Sequence, residues 1–167
     1  DQAERLTPND GPLQVDLYRV CRARGDSAAA AAPLVRATRL ADSGALPAAA
    51  AARLYRERGH EAVVRKEYRE AIAFFGTAAR LVPEDADLLI DLAATHLLEA
   101  ETSGAGAREP GTAYRDATRI LESVRRLRPD DPDALYNLAT IRFRMAQFAS
   151  TDTLLRGYLL LRPEDPD

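Results

Sequence analysis

The chain has 167 residues, a formal net charge of −3 and a single cysteine. The negative balance argues against nucleic-acid binding, which depends on attraction to phosphates, and one cysteine excludes an internal disulfide. Tryptophan is absent and only 6% of the residues are aromatic, while alanine, leucine, arginine and glutamate are abundant. This composition predicts an all-α fold.

The first 51 residues predict a helical hairpin. Apolar residues recur at helical spacing in two sets, first Leu13, Leu17, Tyr18 and Cys21, then Leu34, Ala37 and Leu40. Gly25-Asp26 is expected to turn the chain between them, and Pro33 must then either begin the second helix or kink it. The next helix is predicted to run from near Pro47 to Arg65.

One phrase occurs three times in the rest of the chain. Its copies are Leu81-Val82-Pro83-Glu84-Asp85, Arg128-Pro129-Asp130-Asp131-Pro132 and Arg162-Pro163-Glu164-Asp165-Pro166. The spacing from Pro129 to Pro163 is a period of about 34 residues, which is typical of solenoids built from helix pairs. The interval from Pro83 to Pro129 is longer by twelve, which indicates an insertion.

Each copy predicts a junction between two helices. Proline cannot extend the helix before it, and an aspartate oxygen can cap the helix that follows, so Asp85, Asp131 and Asp165 are the predicted N-caps. Pro132 and Pro166 fall at the first helical position, where a missing amide hydrogen costs nothing. A calcium loop is not predicted, because the regular oxygen spacing and central glycine are missing.

Between the junctions, small and aromatic residues recur in register. Residues 52–85 supply Tyr55, Gly59, Ala71, Phe75 and Pro83; residues 86–131 supply Leu89, Leu92, Ala93, Tyr114, Ala117, Leu121 and Pro129; residues 132–165 supply Leu135, Leu138, Ala139, Phe148, Leu155 and Pro163. This pattern resembles the tetratricopeptide repeat family. The resemblance implies a right-handed α-solenoid of stacked antiparallel helix pairs, with about eight helices.

The resemblance also divides the chain into repeats within one solenoid domain. We expect a degenerate repeat over residues 1–51 and clear repeats over 52–85, 86–131 and 132–167, the last of which a further repeat could follow. The twelve additional residues fall inside the middle repeat, around residues 100–113, and their composition predicts a mobile loop near Gly104 to Gly106. It is either a neutral insertion or an element that contacts a partner.

In tetratricopeptide proteins the concave side binds peptides, and the helix wheel assigns residues to that side. These are Arg53, Arg56, His60 and Val63 in the first clear repeat, Asp87, Ile90, Ala94 and Leu97 in the next, and Asp133, Tyr136, Thr140 and Phe143 in the last. The resemblance therefore implies a groove that is basic at one end and aromatic at the other. A protein or peptide segment with an acidic end and an apolar anchor would fit it. The alternative is that these are ordinary solvent-facing residues.

Some members of the family bind a partner's terminal carboxylate with lysine and asparagine side chains. Here His60 and Asp91 stand where asparagines are expected, and Asp91 would repel a carboxylate, so we reject that version of the resemblance.

The last helix suggests a second function. Phe74, Leu81, Ile120 and Leu127 occupy positions that we expect to pack on the following repeat, and their counterparts in the last repeat are Leu154 and Leu161. With Tyr158 and Leu160 they form a predicted self-association face, through which the chain would build a homodimer or a stacked array.

No catalytic, metal or cofactor site is predicted, so the chain is not expected to be an enzyme. His60 and His96 lack partners at metal-ligand spacing, and no serine lies in a nucleophile elbow. No apolar run approaches the roughly 20 residues of a membrane span.

A third alternative for the function is a regulatory repeat region of a larger enzyme. The abundance of alanine and arginine suggests a bacterial source, and nothing indicates the cellular compartment.

Overall fold

The computed structural model describes residues 10–102 and 110–164. These ranges contain eight α-helices and no β-strand, which confirms the predicted all-α fold. The helices are α1 Gly11–Ala23, α2 Ser27–Asp42, α3 Ala48–Val64, α4 Tyr68–Leu81, α5 Ala86–Thr102, α6 Pro110–Leu127, α7 Pro132–Arg144 and α8 Phe148–Leu161.

The helices form four antiparallel pairs that stack into a right-handed α-solenoid. Each odd-numbered helix packs on the even-numbered helix that follows it, and α4 and α6 pack on the next pair. The odd-numbered helices also contact one another, α1 with α3 and α5 with α7. We call the layer of odd-numbered helices the inner layer and the layer of even-numbered helices the outer layer.

Aspartate side chains begin several of the helices, as the repeated phrase predicts. Asp85 accepts a hydrogen bond from the backbone N–H of Leu88 at 3.1 Å, and Asp131 accepts one from that of Ala134 at 3.0 Å. Both N-caps are confirmed, and α7 begins at Pro132 as predicted. The predicted cap Asp165 and the proline after it lie outside the described residues.

The N-terminal hairpin follows most of its prediction. Gly25 turns the chain with a φ of +73°, and Asp26 caps α2 through the backbone N–H of Ala29. Pro33 lies inside α2 and does not begin it, because the cap at Asp26 starts the helix earlier. The third helix, α3, begins directly after Pro47 and ends at Val64, as predicted.

The insertion lengthens two helices instead of adding only a loop. Helix α3 ends at Val64, whose equivalent in the next repeat is Leu98, yet α5 continues to Thr102. Helix α6 begins at Pro110, about one turn before the equivalent of Tyr68. The predicted loop over residues 100–113 is therefore partly helical, because Arg69 pairs with Glu99 and Arg144 with Glu101 along the extra turn of α5. The predicted mobile residues, 104–106, lie outside the described residues.

Apolar burial is spread along the stack in three clusters. One joins α1, α2 and α3, a second joins α3, α4 and α5, and a third joins α5, α6 and α7. Small residues allow this close packing. At Gly59, an added Cβ would lie 2.5 Å from the ring of Phe75. Each pair thus buries its apolar stripe against its neighbours, as expected for a repeat protein.

Candidate functional site

The basic end of the predicted groove is occupied by ion pairs. Arg56 Nε donates to Asp91 Oδ2 at 2.7 Å, and His60 Nε2 lies 3.3 Å from the same oxygen. Arg53 Nη1 lies 3.5 Å from Asp16 Oδ1. Asp91 and Asp16 thus pair with Arg56 and Arg53, which leaves less positive charge available at this end than the sequence predicts. Selection of an acidic segment by this end stays a prediction.

Asp91 also belongs to this surface, where the sequence predicts only its repulsion of a partner carboxylate. Burial by itself would raise the pKa of Asp91, but the hydrogen bonds from His60 and Arg56 outweigh burial, so the pKa lies below its ordinary value. The repeat register could have identified the pair, since Asp91 lies one residue beyond the equivalent of Arg56 on the neighbouring inner helix.

The middle of the predicted groove is apolar, but one of its predicted residues is buried in the core. Val63, Ile90 and Ala94 are half-buried on the inner faces of α3 and α5. Leu97 is only 6% exposed and lies in the cluster that joins α5, α6 and α7. It is therefore a core residue and not a groove residue, because α7 packs over its position.

The aromatic end lies on α7, against α8. Tyr136 is exposed and its ring centroid is 5.4 Å from that of Tyr158, while Phe143 is 56% exposed and lies 5.9 Å from Phe148. Thr140 is half-buried between them. Asp133 is exposed and pairs with Arg162 at 3.4 Å. A hollow of about 240 Å³ lies beside these aromatic residues, between α7 and α8.

The predicted self-association face is only partly a surface. Leu160 is 84% exposed and Leu161 is exposed, but Tyr158 is buried and Leu154 packs on the cluster beneath α8. Tyr158 lies at the position of Ala78 and Val124, which are fully buried inside their own hairpins. Leu154 and Tyr158 are therefore withdrawn from that face.

Leu81 and Leu127, which the sequence predicts to pack on the following repeat, are only partly covered. Both leucines are exposed although a repeat follows each of them. Leu161, their equivalent in the last repeat, is exposed to a similar extent. Its exposure alone therefore indicates no missing neighbour.

Metal-ligand groups and membrane-spanning helices are both missing from the described ranges. Among those residues, no group of three or more histidine, cysteine or carboxylate side chains is arranged to hold a metal ion. His96 is buried, at the core position predicted for it. Within the same ranges, no helix has both the length and the apolar character that a membrane span requires.

Comparison with solved structures identifies the architecture. The chain superimposes on an Arabidopsis OM64 TPR domain with a TM-score of 0.62 and 18% identity, covering 71% of this chain and 88% of that one. It also superimposes on human IFIT1, solved as a dimer with PPP-AAAA, with a TM-score of 0.68 and 16% identity, covering 95% of this chain and 34% of that one. A human IFIT1 dimer with m7Gppp-AAAA gives a TM-score of 0.68 and 17% identity.

The chain spans about a third of the length of IFIT1. No family model and no curated protein sequence matches it. At these identities the likeness concerns the fold, and it agrees with the helix pairs, the repeated caps and the period of the sequence. The chain is a tetratricopeptide-like α-solenoid.

Proposed function

We propose that the protein is a non-catalytic scaffold that binds a segment of another polypeptide along the inner faces of α3, α5 and α7. The observation that carries this proposal is the row of apolar side chains on successive inner helices, Val63, Ile90, Ala94 and Tyr136. Each is half-buried or exposed, and the charged residues beside them are already paired.

The ion pairs define the kind of segment that fits. A partner carboxylate would have to displace Asp91 from Arg56 and His60, so an acidic partner gains little at this end. Apolar and aromatic side chains of a partner can instead pack on Ile90, Ala94 and Tyr136. An apolar anchor therefore contributes most of the affinity.

An RNA partner is less compatible with the same surface. IFIT1 structures carry PPP-AAAA and m7Gppp-AAAA, but in this chain the inner arginines Arg53 and Arg56 are neutralised by Asp16 and Asp91. Phosphate binding needs cations that are free to contact the backbone of the nucleic acid.

Affinity capture with a matched pair of variants tests the proposal. Ala94→Arg places a long charged side chain in the groove, while Ala73→Arg places the same side chain on the exposed surface of the outer helix α4. Partners captured by the wild type should be retained by Ala73→Arg and lost from Ala94→Arg, with equal helix content by circular dichroism.

Two results would contradict the proposal. One is retention of every partner by the Ala94→Arg variant. The other is capture of no polypeptide together with salt-dependent anisotropy of a 5′-triphosphorylated RNA oligonucleotide, which would indicate a nucleic-acid function.

A second candidate function is assembly through α8. Leu160 supports it, because the equivalent residues in the earlier repeats are the exposed arginines Arg80 and Arg126. An exposed leucine at a position that elsewhere carries an exposed charge favours contact with another chain. Light scattering should then show an assembly in the wild type that dissociates in Leu160→Arg, and a monomer in both would exclude it.

A further inference from the structure

We propose that the boundary between the first two helix pairs is a salt-sensitive hinge. The first pair is α1 with α2, and the second pair is α3 with α4. Ion pairs hold this boundary closed along much of its length, whereas buried side chains close the later boundaries. The solenoid therefore changes its curvature at this boundary when salt screens the ion pairs. The inference does not depend on the proposed groove binding.

At the two later boundaries, a buried stripe of one helix covers the second helix of the preceding pair. The members of the stripe are at most 8% exposed, and they are Leu88, Leu92 and Thr95 in α5 and Ala134, Leu138 and Ile141 in α7. Phe75 of α4 and Leu121 of α6 belong to the same clusters and are at most 1% exposed. Close packing thus fills both boundaries.

The equivalent stripe of α3 is polar in its second half. The 34-residue period places Leu54, Arg58 and Glu61 in this stripe. Leu54 is fully buried against the first pair. Arg58 instead holds its guanidinium 4.1 Å from the ring centroid of Phe74, which belongs to its own pair. Arg58 stands where the later boundaries have a buried leucine, so α3 offers less apolar cover to the helix before it.

Helix α2 is left partly uncovered as a result. Counted from the left-handed turns at Gly25 and Lys66, Leu34 of α2 is the equivalent of Phe75 of α4. Leu34 is half-buried and the adjacent Val35 is 58% exposed, whereas Phe75 is 1% exposed. A hollow of about 490 Å³ is lined here by Leu34, Val35, Thr38, Arg39, Asp42 and Arg58. The first boundary is therefore not filled beside Arg58.

Ion pairs between α1 and α3 hold the boundary instead. Arg19 Nε lies 2.9 Å from Glu57 Oε1, and Arg53 Nη1 lies 3.5 Å from Asp16 Oδ1. All four side chains are at least 36% exposed. Exposed ion pairs are individually weak, and salt screens them. Salt should therefore loosen this boundary more than the boundaries that are closed by buried side chains.

Glu61 provides a third contact, at the far end of the boundary. Its Oε1 pairs with Arg22 Nε and accepts a hydrogen bond from the hydroxyl group of Tyr18, which is buried. The buried apolar contacts of α3 with the first pair lie near its beginning, at Ala50, Ala51 and Leu54. The boundary should therefore open at the Glu61 end and turn about the packing around Leu54.

Distances between spin labels on the outer helices test the hinge in the intact protein. Ala32, Ala73 and Arg119 are exposed and occupy equivalent positions on α2, α4 and α6. Labels on Ala32→Cys and Ala73→Cys span the first boundary. Labels on Ala73→Cys and Arg119→Cys span the second boundary and are the matched control. Both proteins carry Cys21→Ala, so that only the introduced cysteines are labelled.

We expect salt to change the distances across the first boundary alone. An increase from about 0.05 M to about 1 M NaCl shortens the Debye length to about 3 Å. The population at longer distance should then rise at least about threefold between positions 32 and 73, because three ion pairs are screened together. The distances between positions 73 and 119 should stay unchanged.

Two variants separate the ion pairs from the missing packing. Glu57→Gln combined with Glu61→Gln removes two of the three ion pairs and keeps an acceptor for Tyr18. This variant should show the longer distances already at low salt. Arg58→Leu restores the leucine of the later boundaries, so it should cover Leu34 and reduce the longer-distance population at every salt concentration. Circular dichroism should show equal helix content in all the proteins.

Any of three results would overturn the proposal. One is a salt-independent distribution between positions 32 and 73 that is as narrow as the distribution between positions 73 and 119. Another is equal broadening across both boundaries, since salt would then loosen the whole stack. The last is a folded Arg58→Leu protein whose longer-distance population equals that of the parent.

Discussion

At the scale of single residues, the position of a side chain within its repeat predicts which way the side chain points. It does not predict whether a neighbouring helix buries that side chain. Leu97 and Phe143 share one position on the helix wheel, which predicts that both lie in the groove. Leu97 is buried because α7 lies over it, while Phe143 is exposed. Burial depends on a helix of the following repeat, which a wheel drawn for one helix does not contain. The Arg56–Asp91 pair was missed for the same reason.

Gly59 gives a prediction at this scale. An added Cβ at Gly59 would lie 2.5 Å from the ring of Phe75, whereas one at Gly76 would meet nothing within 4 Å. Gly59→Ala should therefore lower the free energy of unfolding by about 1 to 3 kcal/mol. Gly76→Ala should raise it by about 0.5 to 1 kcal/mol, since alanine favours the helix. Urea denaturation measures the free energy of unfolding of both variants. If Gly59→Ala were more stable than the wild type, the packing between residue 59 and Phe75 would not be tight.

The pair between Asp91 and Arg56 gives a second prediction. The pKa of Asp91 in the folded protein lies below its ordinary value of 3.8, so the pair stabilises the fold above that pH. This contribution is lost as the pH falls through the folded pKa. Asp91→Asn should lower the free energy of unfolding by roughly 1 kcal/mol at neutral pH, because the group is only half-buried.

Denaturation at several pH values checks this prediction. The difference between Asp91→Asn and the wild type should shrink as the pH falls below about 3.8. In an Arg56→Gln background, the difference between Asp91→Asn and its parent should be smaller than in the wild type, because one of the two partners of Asp91 is then missing. A difference that stays constant down to acidic pH would show that the carboxylate charge contributes nothing.

At the scale of helices, the sequence predicts where a helix begins better than where it ends. The N-caps Asp85 and Asp131 and the turn at Gly25 are local, since each depends on residues within three positions. The end of α5 was not predicted, because its additional turn is supported by Arg69 and Arg144 on neighbouring repeats. Composition alone favoured a loop there.

The cap of α7 gives the prediction at this scale. Asp131 accepts a hydrogen bond from the backbone N–H of Ala134, while its neighbour Asp130 is exposed and precedes the cap. Asp131→Ala should lower the free energy of unfolding by about 1 kcal/mol. Asp130→Ala should change it by less than about 0.5 kcal/mol. Equal effects of the two substitutions in thermal denaturation would show that general negative charge, and not the cap, stabilises the helix start.

At the scale of the whole molecule, the period of the repeated phrase predicted the architecture, and stacking decided which surfaces remain available. Packing between helix pairs buries Leu97, and packing within the last pair buries Tyr158, so neither side chain is available at the surface. The charge of the groove could not be read from the inner helices alone, because Asp16, on α1, neutralises Arg53.

Site-specific photo-crosslinking tests the central claim, that the concave side binds a polypeptide, most directly. A photoreactive amino acid at Ala94 on α5 or at Thr140 on α7 should form covalent adducts with a polypeptide partner. The same amino acid at Ala73 on the outer helix α4 should form none. Adducts from Ala73 together with none from the inner positions would contradict the account, because the partner would then contact the outer layer of the solenoid.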